Sequence, residues 1–186
     1  MLDKRILAGV LVAWAALDGE GLLSAAEPEQ TTATYGEWTV RCVAHEDLPP
    51  CDMLQVAVEQ TSGRTVLRLS LAHLGEDGRI GVQAWVPLGV WVSAGVQLEA
   101  DGEEVTLGGF GFTRCEGSGC FIEGVVKESN LSPFKDGKEG GLVVLDSAGA
   151  PRGVRLGFLG FTAALEAMKA RNLEWWATRG QRDEYQ

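Results

Sequence analysis

The segment Thr65–Leu71 has the sequence TVLRLSL, in which apolar and polar side chains alternate. In an extended chain, the leucines at 67, 69 and 71 share one face with Thr65, whereas Arg68 and Ser70 lie on the other. A period of two is typical of a β-strand that buries one face and exposes the other. The segment therefore predicts a half-buried strand.

Short apolar segments of the same kind occur on both sides of this strand, separated by Gly, Pro and Asp. The chain contains 25 glycines, roughly twice the background of about 7%, which indicates many turns. Asp101-Gly102 is a pair typical of a two-residue hairpin turn, and the polar stretch Lys127–Gly137 predicts a helical turn or a crossover. Short strands at this spacing predict a mainly β fold, either a sandwich or a barrel. The other predicted strands are Trp38–Cys42, Met53–Val58, Ile80–Val86, Val96–Leu98, Val105–Leu107, Phe112–Cys115, Cys120–Val125, Leu142–Leu145 and Val154–Leu156.

Near the C-terminus the apolar period changes to that of a helix. Phe161, Leu165 and Met168 are spaced at i, i+4 and i+7, which predicts an amphipathic α-helix. We expect this helix to dock on the sandwich and to end at Gly180, within a polar tail over residues 179–186.

The tryptophans fall into two groups. Trp38, Trp85 and Trp91 lie in strand contexts, which favours core or sheet-face positions, and the core above all, over ligand platforms. Trp175 and Trp176 lie near the end of the predicted helix. They either extend its apolar face or form a candidate interaction patch, since exposed apolar surface often marks interaction sites, and the sequence favours neither option.

The N-terminus has the three parts of a secretory signal peptide. Lys4 and Arg5 form a short basic start, Ile6–Leu17 is an apolar run of 12 residues, and Ser24-Ala25-Ala26 is a small-residue exit. The apolar run is shorter than the about 20 residues of a spanning helix, so an uncleaved anchor or an amphipathic first helix is the less favoured alternative. We expect an exported protein without a transmembrane segment once the signal is removed. The predicted divisions are a signal peptide over residues 1–26, a polar linker over 27–34, one β-sandwich domain with its helix over 35–178, and the tail.

The four cysteines, Cys42, Cys51, Cys115 and Cys120, agree with export, because an even set in an oxidising compartment is typical of disulfides. Three pairings are open, and the short intervening loops favour the local one, Cys42–Cys51 with Cys115–Cys120. The alternative is a four-cysteine zinc site, whose usual C-x2-4-C spacing fits only the second pair. We expect two disulfides.

Charge and motifs exclude several function classes. The chain has a formal charge of −10, whereas proteins that bind nucleic acids usually carry an excess of basic residues. The two histidines, His45 and His73, have no G-x-S-x-G or C-x-x-C motif beside them. The other candidate residues that could carry chemistry lie in predicted turns or on strand faces, where a structural role explains them. We therefore assign no catalytic, cofactor-binding or metal-binding residue. Those candidates are the nucleophiles Ser70, Ser93 and Ser118, the acidic pairs Glu76-Asp77 and Glu103-Glu104, and the glycine-rich Gly108–Gly111.

Several strings, taken in order, resemble the invasion-associated locus B family of exported bacterial proteins. The four cysteine positions and the order of the strings make the resemblance, which spans residues 36 to about 168. The strings are GEWTVRC at 36–42, CDM at 51–53 with Gln55, VPLGV at 86–90, GVQL at 95–98 leading to Asp101-Gly102, the C-x4-C element at 115–120, and Gly160-Phe161 with Ala163–Leu165.

The resemblance implies an immunoglobulin-like β-sandwich located in the periplasm or on the outer membrane. In pathogens, members of the family are linked to entry into host cells. The resemblance carries over no catalytic residue, and it implies that the four cysteines are structural. The tail from Glu174 onwards, with its tryptophan pair, lies outside the shared strings.

Two function classes remain. The first is a non-enzymatic envelope protein that binds another protein or an envelope component. The second is a periplasmic carbohydrate-binding module or hydrolase that uses exposed tryptophans and acids. The second class requires Trp85 and Trp91 to be exposed and coplanar beside a groove lined with carboxylates, whereas the first class does not.

Overall fold

The structure is a computed structural model, and it describes residues 30–44, 47–75 and 77–183, with side chains as far as Arg179. The predicted signal peptide lies outside these residues, as do His45, Glu46 and Glu76. The described chain forms eleven β-strands, two short 3-10 turns and two α-helices. The strands are β1 (Gln30–Tyr35), β2 (Trp38–Val43), β3 (Cys51–Val58), β4 (Thr65–His73), β5 (Arg79–Val86), β6 (Val96–Ala100), β7 (Glu103–Val105), β8 (Gly111–Glu116), β9 (Gly119–Lys127), β10 (Glu139–Leu145) and β11 (Pro151–Gly157).

The strands form two antiparallel sheets. The larger sheet has the strand order β1-β2-β3-β4-β5-β9-β8, and the smaller has the order β11-β10-β6-β7. Buried side chains from both sheets belong to one hydrophobic core, as in a sandwich. The prediction of a mainly β fold with two packed sheets and a C-terminal helix is therefore confirmed.

Strand β4 shows how the sequence pattern becomes a core. Leu67, Leu69 and Leu71 are buried, whereas Arg68 is exposed. β4 lies in the middle of the larger sheet, so its backbone is paired on both sides, with β3 and with β5. The predicted hairpin turn is also confirmed, because Asp101 and Gly102 have φ angles of 49° and 85° and join β6 to β7.

The polar stretch after β9 forms a 3-10 turn at Glu128–Leu131 and the short helix α1 at Ser132–Asp136. This segment carries the chain from the larger sheet to the smaller one, because β9 precedes it and β10 follows it. Leu131 and Phe134 are buried, so the crossover contributes to the core. The predicted crossover is confirmed.

The C-terminal helix, α2, spans Phe161–Asp183 and packs against β1, β2, β3 and β4. Phe161, Leu165 and Met168 are fully buried, which confirms the predicted docking face. The helix does not end at Gly180, because one glycine costs a helix only about 1 kcal/mol relative to alanine and is not by itself a stop. None of the described helices has an apolar run long enough to cross a membrane.

Residues 30–34, predicted as a linker, instead belong to an edge strand. β1 pairs with β2 from Gln30↔Val43 to Tyr35↔Trp38. Its side chains are almost all exposed, so the segment has no apolar alternation to indicate a strand. Three threonines in QTTATY favour the extended backbone, and main-chain hydrogen bonds to β2 provide the pairing.

Candidate functional site

The four cysteines form two disulfides that close neighbouring strands. Cys42–Cys51 joins β2 to β3, and Cys115–Cys120 joins β8 to β9. No cysteine is left free, so no thiolate is present to ligate zinc or to act as a nucleophile. The pairing is the local one that the short loops favour, and disulfides of this kind are typical of oxidising compartments.

Of the two histidine candidates the structure describes only His73, and it does not bring His73 together with Ser70. His73 is 1% exposed and points into the core, whereas Ser70 lies on the opposite face of β4. The Nδ1 atom of His73 has no hydrogen-bond partner among the described residues. The part of the chain that the structure describes also contains no cluster of three His, Cys, Asp or Glu side chains suited to a metal ion.

Of the three tryptophans predicted at core or sheet-face positions, Trp38 is in the core, Trp85 is on a sheet face and Trp91 is exposed. Trp38 is buried, and its indole N–H donates to the carbonyl of Gly157 at 2.9 Å. Trp91 is 51% exposed and lies beside Gly149 in the turn after β10. Trp85 is half-buried on the outer face of the larger sheet. Strand period assigns residues to alternate faces, but only the fold determines which face is covered.

Trp175 and Trp176, the predicted patch, are both half-buried near the end of α2. The Arg179 guanidinium lies 4.7 Å from the centre of the Trp175 ring and donates to Asp47 at 2.9 Å. Trp175 also lines a groove beside the Cys42–Cys51 disulfide. The pair is therefore partly covered, and one ring face is stacked against a cation.

The outer face of the larger sheet brings aromatic, apolar and charged side chains together. Antiparallel register places Val56, Arg68, Trp85, Phe121 and Arg114 in one row across five adjacent strands. Side chains that are directly opposite on one face of a sheet lie within contact distance. All of this row except Arg114, together with its neighbours, lines a groove of about 530 Å³, within the usual range for small-molecule sites of about 300–1,000 Å³. We name it the outer-face groove, and its lining includes Arg41, Asp52, Leu54, Val56, Arg68, Ser70, Gln83, Trp85, Ser118 and Phe121.

The Cys115–Cys120 hairpin positions Trp85. Gly119 begins β9 directly after the turn of this hairpin, and a Cβ at Gly119 would collide with the indole Nε1 and with the carbonyl of Val86. Only glycine lets the backbone approach the ring this closely. The disulfide next to this turn therefore fixes one wall of the outer-face groove.

Charges on this face are mostly paired. Arg41 donates to both carboxylate oxygens of Asp52, at 3.0 and 2.7 Å, in the bidentate geometry of strong arginine–carboxylate pairs. Hydrogen bonds donated by Thr113, Arg114 and Gln83 lower the pKa of Glu123 to about 2. Arg68 differs from these groups, because it is exposed and forms no salt bridge with any residue that the structure describes.

Of the groove residues, the sequence singled out Trp85 as an aromatic candidate and Ser70 and Ser118 as candidate nucleophiles. Arg68 was recognised as part of the polar face of β4, which is the signal that could have identified it. Phe121 lies in an apolar strand, where alternation suggests core packing. Its position beside Trp85 depends on the pairing of β5 with β9, two strands that are separated in sequence by β6, β7 and β8.

Comparisons with known proteins place the chain in a family. The family described as Invasion associated locus B (IalB) protein matches residues 38–169. The chain is 27% identical over 108 residues to Invasion protein B of Bartonella bacilliformis, an alignment that covers 58% of this chain and 56% of that relative. The chain is also similar to the crystal structure of invasion associated protein B from Bartonella henselae, with a TM-score of 0.65 and 26% identity, covering 75% of this chain and 95% of that chain.

The alignment to the curated relative thus spans little more than half of its length. These names refer to invasion and do not describe an enzyme. The matched region contains both disulfides and the outer-face groove. From the match over residues 38–169, this chain belongs to the invasion-associated locus B family.

Proposed function

We propose that this protein is an exported, non-enzymatic binding protein of the bacterial envelope, in the periplasm or at the outer membrane. Its partner is a protein or another envelope component, and its binding surface is the outer-face groove. The relatives named for invasion support a role at the cell surface, which in pathogens serves contact with host cells.

The single observation that carries this proposal is the uncovered outer face of the larger sheet. Val56 and Val125 on this face are 44% and 51% exposed, and the half-buried Trp85 lies between Arg68 and Phe121. An exposed face with apolar and aromatic side chains and a polar rim is typical of an interaction surface.

The electrostatics of the face support binding rather than hydrolysis. A general acid needs a pKa near the working pH, whereas the pKa of Glu123 is lowered to about 2 and its oxygens accept hydrogen bonds from three side chains. Asp52 is held in a bidentate pair with Arg41. Both acids therefore hold neighbouring side chains in place.

Co-sedimentation of the purified protein with envelope vesicles tests the proposal. We expect the wild type to bind saturably and Trp85→Ala to bind several-fold more weakly, because that variant removes the central side chain of the groove. The matched control is Trp91→Ala, which removes an exposed tryptophan from another part of the surface and should bind as the wild type does.

Two outcomes contradict the proposed surface. If Trp85→Ala and Trp91→Ala bind equally well, the outer-face groove is not the binding surface. If Trp175→Ala abolishes sedimentation while Trp85→Ala does not, the tryptophan pair on α2 is the site. Export is tested separately by N-terminal sequencing of the envelope-associated protein, which should begin near Glu27, and an intact Met1 start in the cytosol would overturn it.

A further inference from the structure

We propose that the outer-face groove binds a glycan chain that bears carboxylate groups, with Trp85 packed against a sugar ring and Arg68 paired with a carboxylate. This inference rests on the proposed binding function and names the class of partner. Sugar rings combine an apolar C–H face with hydroxyl groups around the rim, so their recognition needs an aromatic face beside hydrogen-bonding side chains.

Of the two aromatic side chains that line the groove, Trp85 is the one without a guanidinium at close range. The Arg68 guanidinium lies 6.0 Å from the centre of the Trp85 ring, at the outer limit of a cation–π contact. In the same row, Arg114 lies 3.9 Å from the centre of the Phe121 ring and covers it. Arg114 therefore covers Phe121 closely, whereas Arg68 lies farther from the Trp85 ring, and we assign the sugar contact to Trp85.

Arg68 supplies the charge that selects an anionic ligand. The three other arginines of this face are neutralised, Arg41 by Asp52, Arg79 by Asp77, and Arg114 by Glu116 and Glu123. Among the described residues Arg68 has no carboxylate partner within salt-bridge distance. An unpaired guanidinium favours a planar carboxylate, which it can bind through two parallel hydrogen bonds.

The shape of the groove favours a chain of sugars over a single sugar. Apart from Ser118 in the β8–β9 turn, its lining residues come from β2, β3, β4, β5 and β9. At about 4.8 Å between strands, five adjacent strands span roughly 19 Å. The polar residues Ser70, Gln83 and Ser118 are distributed along this length, where they can hydrogen-bond to hydroxyl groups.

An acidic peptide fits this surface less well. Peptides that bind a sheet through their backbone add to an exposed edge strand. β4, β5 and β9 are interior strands with both edges paired. A peptide therefore cannot extend the sheet here by pairing its backbone with one of these strands. Only side chains are presented here, as glycan recognition requires.

Isothermal titration calorimetry with tetragalacturonic acid tests the inference, and its methyl ester serves as the matched neutral probe. We expect the acid to bind with a Kd below about 1 mM and the ester to bind at least about tenfold more weakly, since esterification removes the charge that pairs with Arg68. Single galacturonic acid should bind more weakly than the tetramer.

Arg68→Gln should weaken tetragalacturonate binding by about tenfold, as expected for loss of a charged hydrogen-bonding pair. Arg64→Gln is the matched control, because it removes an exposed arginine from the β3–β4 turn, and its affinity should stay within twofold. Trp85→Ala should weaken binding of the acid and of the ester alike, because both use the ring. Arg68→Gln changes an exposed side chain, so it tests the inference even if Trp85→Ala fails to fold.

The inference is overturned if the acid and the ester bind equally, if Arg68→Gln behaves as Arg64→Gln does, or if no binding occurs. It is also overturned if a polyglutamate peptide binds as tightly as the glycan with the same dependence on Arg68. If vesicle binding depends on Trp85 while tetragalacturonate does not bind, the proposed function stands and the glycan class is wrong.

Discussion

Asn172 shows how one polar side chain in the core can hold a helix to a sheet. It is fully buried on α2, and its side-chain oxygen accepts from the N–H of Cys51 at 2.9 Å while its amide donates to the Cys51 carbonyl at 2.8 Å. Replacing it with leucine leaves both backbone groups buried without a partner, at about 1–3 kcal/mol each. We expect Asn172→Leu to lower the free energy of unfolding by about 2–5 kcal/mol in urea titrations.

The control for this prediction is Asn130→Leu, which changes an exposed asparagine in the 3-10 turn. It should alter the free energy of unfolding by less than about 0.5 kcal/mol, as is usual for surface substitutions. Equal effects of the two substitutions would show that the buried bonds to Cys51 contribute nothing to stability.

His73 should make stability depend on pH. Burial lowers the pKa of His73 and the charge of Lys169 lowers it further, whereas Glu128, Asp77 and Glu166 act in the opposite direction. The unfolded chain, with a histidine pKa of about 6.5, therefore binds the proton more readily than the folded protein does. The folded state loses stability as the pH falls below about 6.5, by up to about 1.4 kcal/mol per pH unit.

Denaturant titrations at pH 7.5 and pH 5.5 measure this effect in the wild type and in His73→Gln. The wild type should be less stable at pH 5.5, and His73→Gln should reduce that difference because glutamine does not titrate. The window lies above the range in which carboxylates protonate, so Glu123 and Glu128, whose pKa values are lowered, do not contribute there. An unchanged pH difference in His73→Gln would refute the assignment.

At the scale of elements, α2 acts as a cover for one part of the larger sheet. Leu165 is fully buried between this helix and the strands beneath it. Leu165→Ala should lower the free energy of unfolding by about 2–5 kcal/mol, the usual effect of a large-to-small change in a core. Thermal melts followed by circular dichroism should show an earlier transition.

Leu48→Ala is the matched control for this helix prediction, because Leu48 is 62% exposed in the loop before β3. The midpoint of its thermal unfolding transition should stay close to that of the wild type. If Leu165→Ala melts at the wild-type temperature, α2 contributes no packing energy and the docking interpretation is wrong.

Individual strands and helices differ in how well the sequence pattern predicts them. The leucines of β4 and the apolar stripe of α2 were predicted correctly because burial on one face leaves a clear period. Strand β1 was missed because its side chains are exposed and its stability comes from main-chain pairing with β2. The helix end was misplaced because the cost of one glycine is small beside the packing of the preceding turns.

At the scale of the whole molecule, the site was harder to predict than the fold. Arg68, Trp85 and Phe121 come from three strands, and their shared row depends on strand order and register. Alternation shows that Trp85 and Val86 point to opposite faces, but it does not show which face α2 and the smaller sheet cover. The groove therefore could not be predicted from the sequence, because it depends on how the strands are ordered and how the two sheets pack.

A buried hydrogen-bonding group holds the two sheets together. Gln55 of β3 donates to the carbonyls of Gly157 and Glu37, at 3.0 and 3.1 Å, and accepts from the Gly157 N–H at 3.1 Å. Gly157 belongs to β11, in the smaller sheet, and its carbonyl also accepts from Trp38. Hydrophobic contact is non-directional, so these bonds fix how one sheet is oriented on the other.

Gln55→Leu removes these bonds at nearly constant volume and leaves the buried Gly157 N–H without its partner. We expect the free energy of unfolding to fall by about 2–4 kcal/mol, in a single cooperative transition, because both sheets share one core. Gln97→Leu, on an exposed position of β6, is the matched control and should have little effect. If Gln55→Leu instead produces two separate transitions in hydrogen exchange, each sheet has its own stability and the sandwich is not one cooperative unit.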